Sequence, residues 1–192
     1  MSKVQSREKM LEAATRLFHL KGYHATGVNQ ILQESGAPKG SLYYHFPGGK
    51  EQLAAEAIQL SGQLIAGDIR VHLDKYEDAV QAFQQLIQFI AGQFERIDGL
   101  LELPTVPLGL LAAETAQVNE HLRQTCEETF GMWESLYIGK LLQCGYSDER
   151  ARVISTSMIA LIEGSVTLSL TRNTNGPLLQ IRELIPALLS MK

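Results

Sequence analysis

Two cysteines in 192 residues are too few for a disulfide framework. The N-terminus, M-S-K-V-Q-S-R-E-K, carries charge with no apolar core behind it, so no secretory signal is expected. No run of about 18 uncharged apolar residues occurs, and no contact with a membrane is expected. A cytoplasmic location follows by default. The five histidines, His19, His24, His45, His72 and His121, do not cluster at ligand spacings, and no Cys or His pair has zinc-site spacing. No metal and no cofactor are expected. The sequence has no G-x-S-x-G, no P-loop and no G-x-G-x-x-G after a strand. F-P-G-G-K, at 46–50, is too short to cradle phosphates. An enzyme has no constellation of residues behind it. No strand-like alternation of useful length is found, and no internal repeat. What remains is an all-α chain with an ordinary soluble composition, 45% hydrophobic and 20% charged, long enough for a sizeable core.

The net charge of −4 hides an asymmetry. Residues 1–50 hold seven Lys/Arg (Lys3, Arg7, Lys9, Arg16, Lys21, Lys39, Lys50) and three acids (Glu8, Glu12, Glu34), a balance of +4. The remaining residues carry −8. A basic N-terminal piece on an acidic body suits a head that contacts DNA on a body that repels it.

Within that basic piece, residues 26–46 read as two short helices joined by a tight turn. Thr26 is placed to cap the first, in which Val28, Ile31 and Leu32 recur at helical spacing. Gly36 suits a left-handed stop, and Pro38 suits the opening of a second helix. There Leu42 and Phe46 point inward together, leaving Lys39, Gly40, Ser41, Tyr43 and Tyr44 outward and His45 just beyond. This is a helix-turn-helix pattern, whose second helix suits the major groove. The hydroxyls and the ammonium fit phosphates and base edges. Solvated polar residues on a plain helical hairpin would read the same way.

The order of residues goes further. A-P-K-G-S-L-Y-Y-H-F-P-G-G-K-E-Q-L, from Ala37 to Leu53, with F-H-L-K-G-Y-H-A-T-G-V-N-Q-I-L before it, resembles the signature of TetR/AcrR-family transcriptional regulators. The wording G-Y-H-A-T-G-V-N-Q-I-L and the insertion F-P-G-G-K resemble the LmrA/YxaF-like subgroup. The specific likeness covers roughly the first quarter of the chain. It implies an N-terminal three-helix helix-turn-helix head, joined by a long helix to a C-terminal helical domain for ligand binding and dimerisation. It implies double-stranded operator DNA, a small-molecule effector and a homodimer as partners. Thr26, Lys39, Gly40, Ser41, Tyr43, Tyr44, His45 and Lys50 match family positions that contact operator DNA.

Around this stretch, residues 5–21 read as a first helix with a stripe of Met10, Ala14, Leu17 and Phe18, ended by Gly22. Lys50 opens a long helix towards Val71, and its first amides with Lys50 would suit a phosphate. The domain boundary is set there: residues 1–50 as DNA-binding domain, 51–192 as ligand-binding and dimerisation domain. Helices are then expected over 76–97, 108–116, 118–144, 148–172 and from Pro177, with a loop at Asp98–Gly99 and interruptions at Pro104 and Pro107. Ser147 caps the helix after Gly145.

The stretch from Ile154 to Leu170 is nearly all apolar and should be buried on several sides, by the chain's own bundle or by a second subunit. Ala160, Gly164 and Ser165 would permit close helix approach. The family likeness favours a dimer, as does the need to read two half-sites. Phe83, Phe94, Phe130, Trp133, Tyr137 and Met158 are candidates for an effector pocket, which the family likeness implies, though each alone is better explained as core. Glu163, inside the apolar run, needs partners if buried; it could serve a cationic ligand, but a structural hydrogen-bonding role is the stronger reading. Cys126 and Cys144, 18 residues apart on one helix, are about 27 Å from each other at 1.5 Å rise and beyond disulfide reach. The expected function is a ligand-responsive repressor, bound as a homodimer to a palindromic operator and released by a small apolar or aromatic effector. The competing readings are a helical small-molecule binding protein without promoter control and an all-helical enzyme.

Overall fold

In the computed structural model residues 3–38, 40–94 and 108–190 are described. Lys39, the loop at Asp98–Gly99 and the expected breaks at Pro104 and Pro107 lie outside them. Among the described residues every regular element is a helix: α1 (Lys3–Ala25), α2 (Val28–Ser35), α3 (Ser41–His45), α4 (Gly49–Asp74), α5 (Ala79–Gly92), α6 (Leu108–Thr115), α7 (Glu120–Gln143), α8 (Asp148–Arg172) and α9 (Gly176–Leu189). The chain forms two compact units, residues 1–64 with 105–129 and residues 65–104 with 130–192.

The first unit grows from the stripe of α1. Met10, Ala14, Leu17 and Phe18 are all buried, with Ile31 and Leu32 of α2, Leu42 of α3, Phe46, and Leu53, Ala57 and Ile58 of α4. Periodicity placed these residues inside because they recur every three or four positions on their helices. Helical conformation lapses at Gly22 (φ 78°, ψ 175°), a backbone region closed to most side chains, so α1 kinks there before one more turn. Gly36 ends α2 in the left-handed region (φ 64°), and its N–H is returned to the carbonyls of the last turn.

Two local expectations are corrected. The cap of α2 is Gly27, not Thr26, and the Gln30 Oε1 accepts the Gly27 N–H at 3.1 Å. Thr26 is drawn inward instead, its hydroxyl bonded to main-chain carbonyls of α1. The second helix opens at Ser41 rather than Pro38. Both the N–H and the hydroxyl of Ser41 donate to the Pro38 carbonyl, at 2.9 and 2.6 Å, so that carbonyl is bound to the first residue of the helix.

In the second unit α5 packs on α9, and α9 on α8. Asp78 caps α5 by accepting the Gln81 N–H at 2.8 Å, and Ser147 caps α8 by accepting the Arg150 N–H. Phe83, Leu86 and Ile87 meet a core completed by Leu178, Ile185 and Leu189. The Tyr146 hydroxyl donates to the Leu189 carbonyl at 2.7 Å, and the buried Lys140 ammonium donates to the Tyr76 carbonyl.

Of the two expected ways of burying α8, its own chain supplies only part. Within one chain it buries a single face, Ile154, Ser155, Met158, Ile162, Ser165 and Ser169. Val153 is 53% and Leu168 44% exposed, with Leu184 of α9 at 46%. By length and composition α8 is apolar enough to cross a membrane, as core helices of globular proteins also are.

Candidate nucleic-acid interface

Helix α3 has one face sealed and one face open. Leu42 and Phe46 are fully buried, which fixes the roll of this short helix on α1 and α4. The same roll leaves Tyr43 62% and Tyr44 64% exposed. Large aromatic side chains are seldom left out in water without a use. Gly40 is exposed just before the helix, and His45 is half-buried with its ring edge-on to Tyr44 at 4.9 Å. A Cβ placed on Gly49 would lie 3.4 Å from Tyr43 Cε1, so α4 begins against the exposed ring. Tyr43 and the first turn of α4 therefore lie side by side.

The other expected residues divide. Ser41 faces partly outward, but its hydroxyl is bonded to the Pro38 carbonyl. Thr26 is fully buried, and its hydroxyl reaches the Leu17 and Gly22 carbonyls at 3.1 and 2.7 Å. Its geometry braces the α1–α2 corner. Lys39 lies outside the described residues. Two further cations of the basic segment are tied to acids: Arg7 to Glu56, and Arg16 to Glu34 at 2.5 Å. Glu56 also accepts from Gln52, whose Oε1 takes the Gly48 N–H at 2.9 Å. This chain of bonds fixes the loop between α3 and α4. Arg7 also lies 4.9 Å from the centroid of Phe46.

Lys50 stands in the first turn of α4, as the sequence suggested, but its side chain turns back towards α1. Its Nζ sits 4.2 Å over the centroid of Tyr23. Burial lowers its pKa, and the Glu114 carboxylate opposes that shift. Glu114, at the end of α6, accepts the Tyr23 N–H at 2.5 Å, while its carbonyl faces His24 Nε2 at 3.1 Å. Neither Tyr23 nor Glu114 stood out in the sequence. Glu114 meets α1 across some 90 residues, a contact that no local pattern announces.

The aromatic set proposed for an effector lies in the second unit. Phe83 and Tyr137 meet edge to face at 5.3 Å, and Phe130 and Trp133 at 5.6 Å. Phe83, Phe94, Trp133, Tyr137 and Met158 are buried, while Phe130 and Glu163 are half-buried. Burial, with the Glu163 carboxylate nearby, holds the Tyr137 hydroxyl well above its usual range. Cys126 is buried in the first unit and its thiol is pushed up to about 11 by desolvation. Cys144 lies just past the end of α7, half-buried, with Sγ 3.2 Å from the Glu77 carbonyl.

Residues 10–57 match the profile described as bacterial regulatory proteins of the tetR family, and residues 79–184 that of the C-terminal domain of LmrA/YxaF-like transcriptional regulators. The chain is 50% identical over 192 residues to the HTH-type transcriptional regulator LmrA of Bacillus subtilis, covering 98% of this chain and 99% of that one. It is 46% identical over 191 residues to the uncharacterized HTH-type regulator YxaF of the same organism, covering 100% and 98%. Its fold follows that of a TetR regulator from Chloroflexus aurantiacus, with a TM-score of 0.82 at 22% identity over 99% of this chain and 96% of the other. The matched families and relatives are regulators of transcription, not enzymes. With both profiles matched in order and full-length relatives near half identical, this chain belongs to the TetR family of bacterial transcriptional regulators, in its LmrA/YxaF-like group.

Proposed function

We propose that the chain is a repressor that binds a palindromic operator as a homodimer and leaves it when a small apolar or aromatic effector binds. The observation that carries this reading is α3. It is pinned by Leu42 and Phe46 and presents Tyr43 and Tyr44 to solvent beside the start of α4. Residues 1–50 serve as the DNA-reading head and 51–192 as the effector and dimerisation domain. Tyr43 and Tyr44 offer hydroxyls to phosphates and base edges, Lys39 an ammonium, and Gly40 a close backbone approach. Ser41, His45, Lys50 and Thr26 complete the set, Thr26 by holding the corner from which α2 starts.

The bare side of α8 and α9 supports the homodimer. Leu168, Val153 and Leu184 are exposed on helices whose opposite faces make the core. A second copy of the same surface, related by a twofold axis, would cover them. One five-residue recognition helix reads few base pairs, whereas two read a site with dyad symmetry. The effector is assigned to Phe83, Phe94, Phe130, Trp133, Tyr137 and Met158, with Glu163 as the polar group. Its binding favours a body conformation in which the two heads no longer fit successive major grooves.

Fluorescence anisotropy tests this with DNA from upstream of the chain's own gene and a scrambled duplex, at two salt concentrations. Tight, salt-sensitive binding that prefers the native DNA is expected. Equal, weak binding to both duplexes would overturn repression at that promoter and favour a small-molecule binding protein without promoter control.

A further inference from the structure

Lys50 and Glu114 stand at helix ends that disfavour them. A cation in the first turn of α4 opposes the helix dipole, as does a carboxylate in the last turn of α6. Neither charge is settled by its own helix. Glu51 does not settle Lys50 either, since its Oε2 accepts from Asn119 Nδ2 at 2.7 Å. What the two share is Tyr23. Its N–H, freed where Gly22 leaves the helix, donates to Glu114, and its ring carries the Lys50 ammonium. The kink and the carboxylate are fitted to each other, because a Cβ on Gly22 would overlap Glu114 Oε1. Meanwhile the residue before Lys50 abuts Tyr43 on the exposed surface of α3. Lys50 thus starts beside that surface, and its charge is held over Tyr23 of α1.

We propose that Glu114 is a positioning residue for DNA binding: seated on the Tyr23 N–H in the Gly22 kink, it keeps the Lys50 ammonium over the Tyr23 ring and off a backbone phosphate at the start of α4. Lys50 is then a reserve contact, divided between two anions, one internal and one on DNA. A phosphate at the N-terminus of α4 would meet the first-turn amides as well as the ammonium, so the DNA side is a competent acceptor. Any change that withdraws Glu114 hands Lys50 to the DNA. This rests on the reading that α3 and the start of α4 face the operator.

The test is operator anisotropy across a salt series with the full chain. Glu114→Gln keeps an oxygen for the Tyr23 N–H but removes the charge. It is expected to tighten operator binding by about two- to five-fold, the worth of an exposed cation–π contact released. It is also expected to steepen the slope of log affinity against log salt by about 0.9, the mark of one added phosphate contact. Tyr23→Leu removes the ring but leaves the N–H, and should act in the same direction if Glu114→Gln folds poorly. Both gains should vanish in a Lys50→Met background. A gain that persists there comes from the general field of the missing carboxylate and overturns the proposal, as does unchanged or weaker binding with an unaltered slope. Tyr43→Ala is the control. If it weakens binding while Glu114→Gln and Tyr23→Leu change nothing, this inference alone falls. If Tyr43→Ala also changes nothing, the reading of α3 falls first.

Discussion

Two sets of aromatic side chains, one in each unit, are placed in opposite ways. In the first, Tyr43 and Tyr44 are more than 60% exposed on a helix anchored by residues with no exposure at all. In the second, Phe83, Trp133 and Tyr137 are at most 5% exposed, and the residues left bare are aliphatic, Val153, Leu168 and Leu184 of α8 and α9 among them. Under the proposed function the difference follows from what each surface would meet. A ring that reads DNA must stand in water until the DNA arrives, and its hydroxyl makes that tolerable. A ring that receives an apolar ligand, or fills a core, must be kept dry. Bare aliphatic side chains offer no hydrogen bonds and suit only another apolar surface.

The strongest way to break this comparison is to charge the bare aliphatics. Leu168→Glu with Leu184→Glu should turn the dimer into a monomer by light scattering. Losing simultaneous engagement of two half-sites should then weaken operator binding by about 10²–10⁴-fold. A monomeric variant with native operator affinity would refute the dimer reading. Next is Tyr43→Ala, expected to cost operator binding about 1–3 kcal/mol, roughly 5- to 150-fold, with the melting temperature unchanged. A fall in melting temperature instead would mean that the ring supports the head rather than reading DNA.

Thr26→Val sharpens the contrast from within the first unit. It leaves the Leu17 and Gly22 carbonyls without their hydroxyl, at a cost of about 1–3 kcal/mol of stability. Thermal denaturation should register that loss, and the preference for native over scrambled DNA should survive. The smallest effect concerns the thiols. A thiol at about 11 is protonated at pH 8 and gains its reactive thiolate only as pH rises towards that value. An alkylating reagent at pH 8 should therefore modify Cys144 well before Cys126, as mass spectrometry would record. Equal rates would show that the Cys126 site opens readily.

The helices were readable because their apolar residues repeat at helical spacing and Gly36, Gly145, Ser147 and Pro177 mark their ends. The head was readable further, since Leu42 and Phe46, four apart, set an inward face and leave Tyr43 and Tyr44 outward. Thr26 was misplaced because a threonine before a helix looks like a cap, whereas here the kink at Gly22 leaves a carbonyl that attracts its hydroxyl first. The start of the second helix was misread at Pro38, whose carbonyl is instead bound by the first residue of the helix, Ser41. The Glu114–Tyr23–Lys50 corner was invisible. It joins three helices distant in sequence, and each residue alone looks like a solvated surface group. The half-bare face of α8 was equally hidden, because composition gives a helix's total apolarity and not the number of neighbours that cover it.

In the proposed dimer two copies of α3 read one symmetric site. The most direct measurement is repeated selection of bound duplexes from a random pool with the purified full chain, followed by sequencing. The predicted result is one enriched motif with dyad symmetry, its half-sites about one helical turn or a multiple of it apart, some 34–36 Å per turn. A pool that yields no motif, or a single element with no inverted partner, would contradict it.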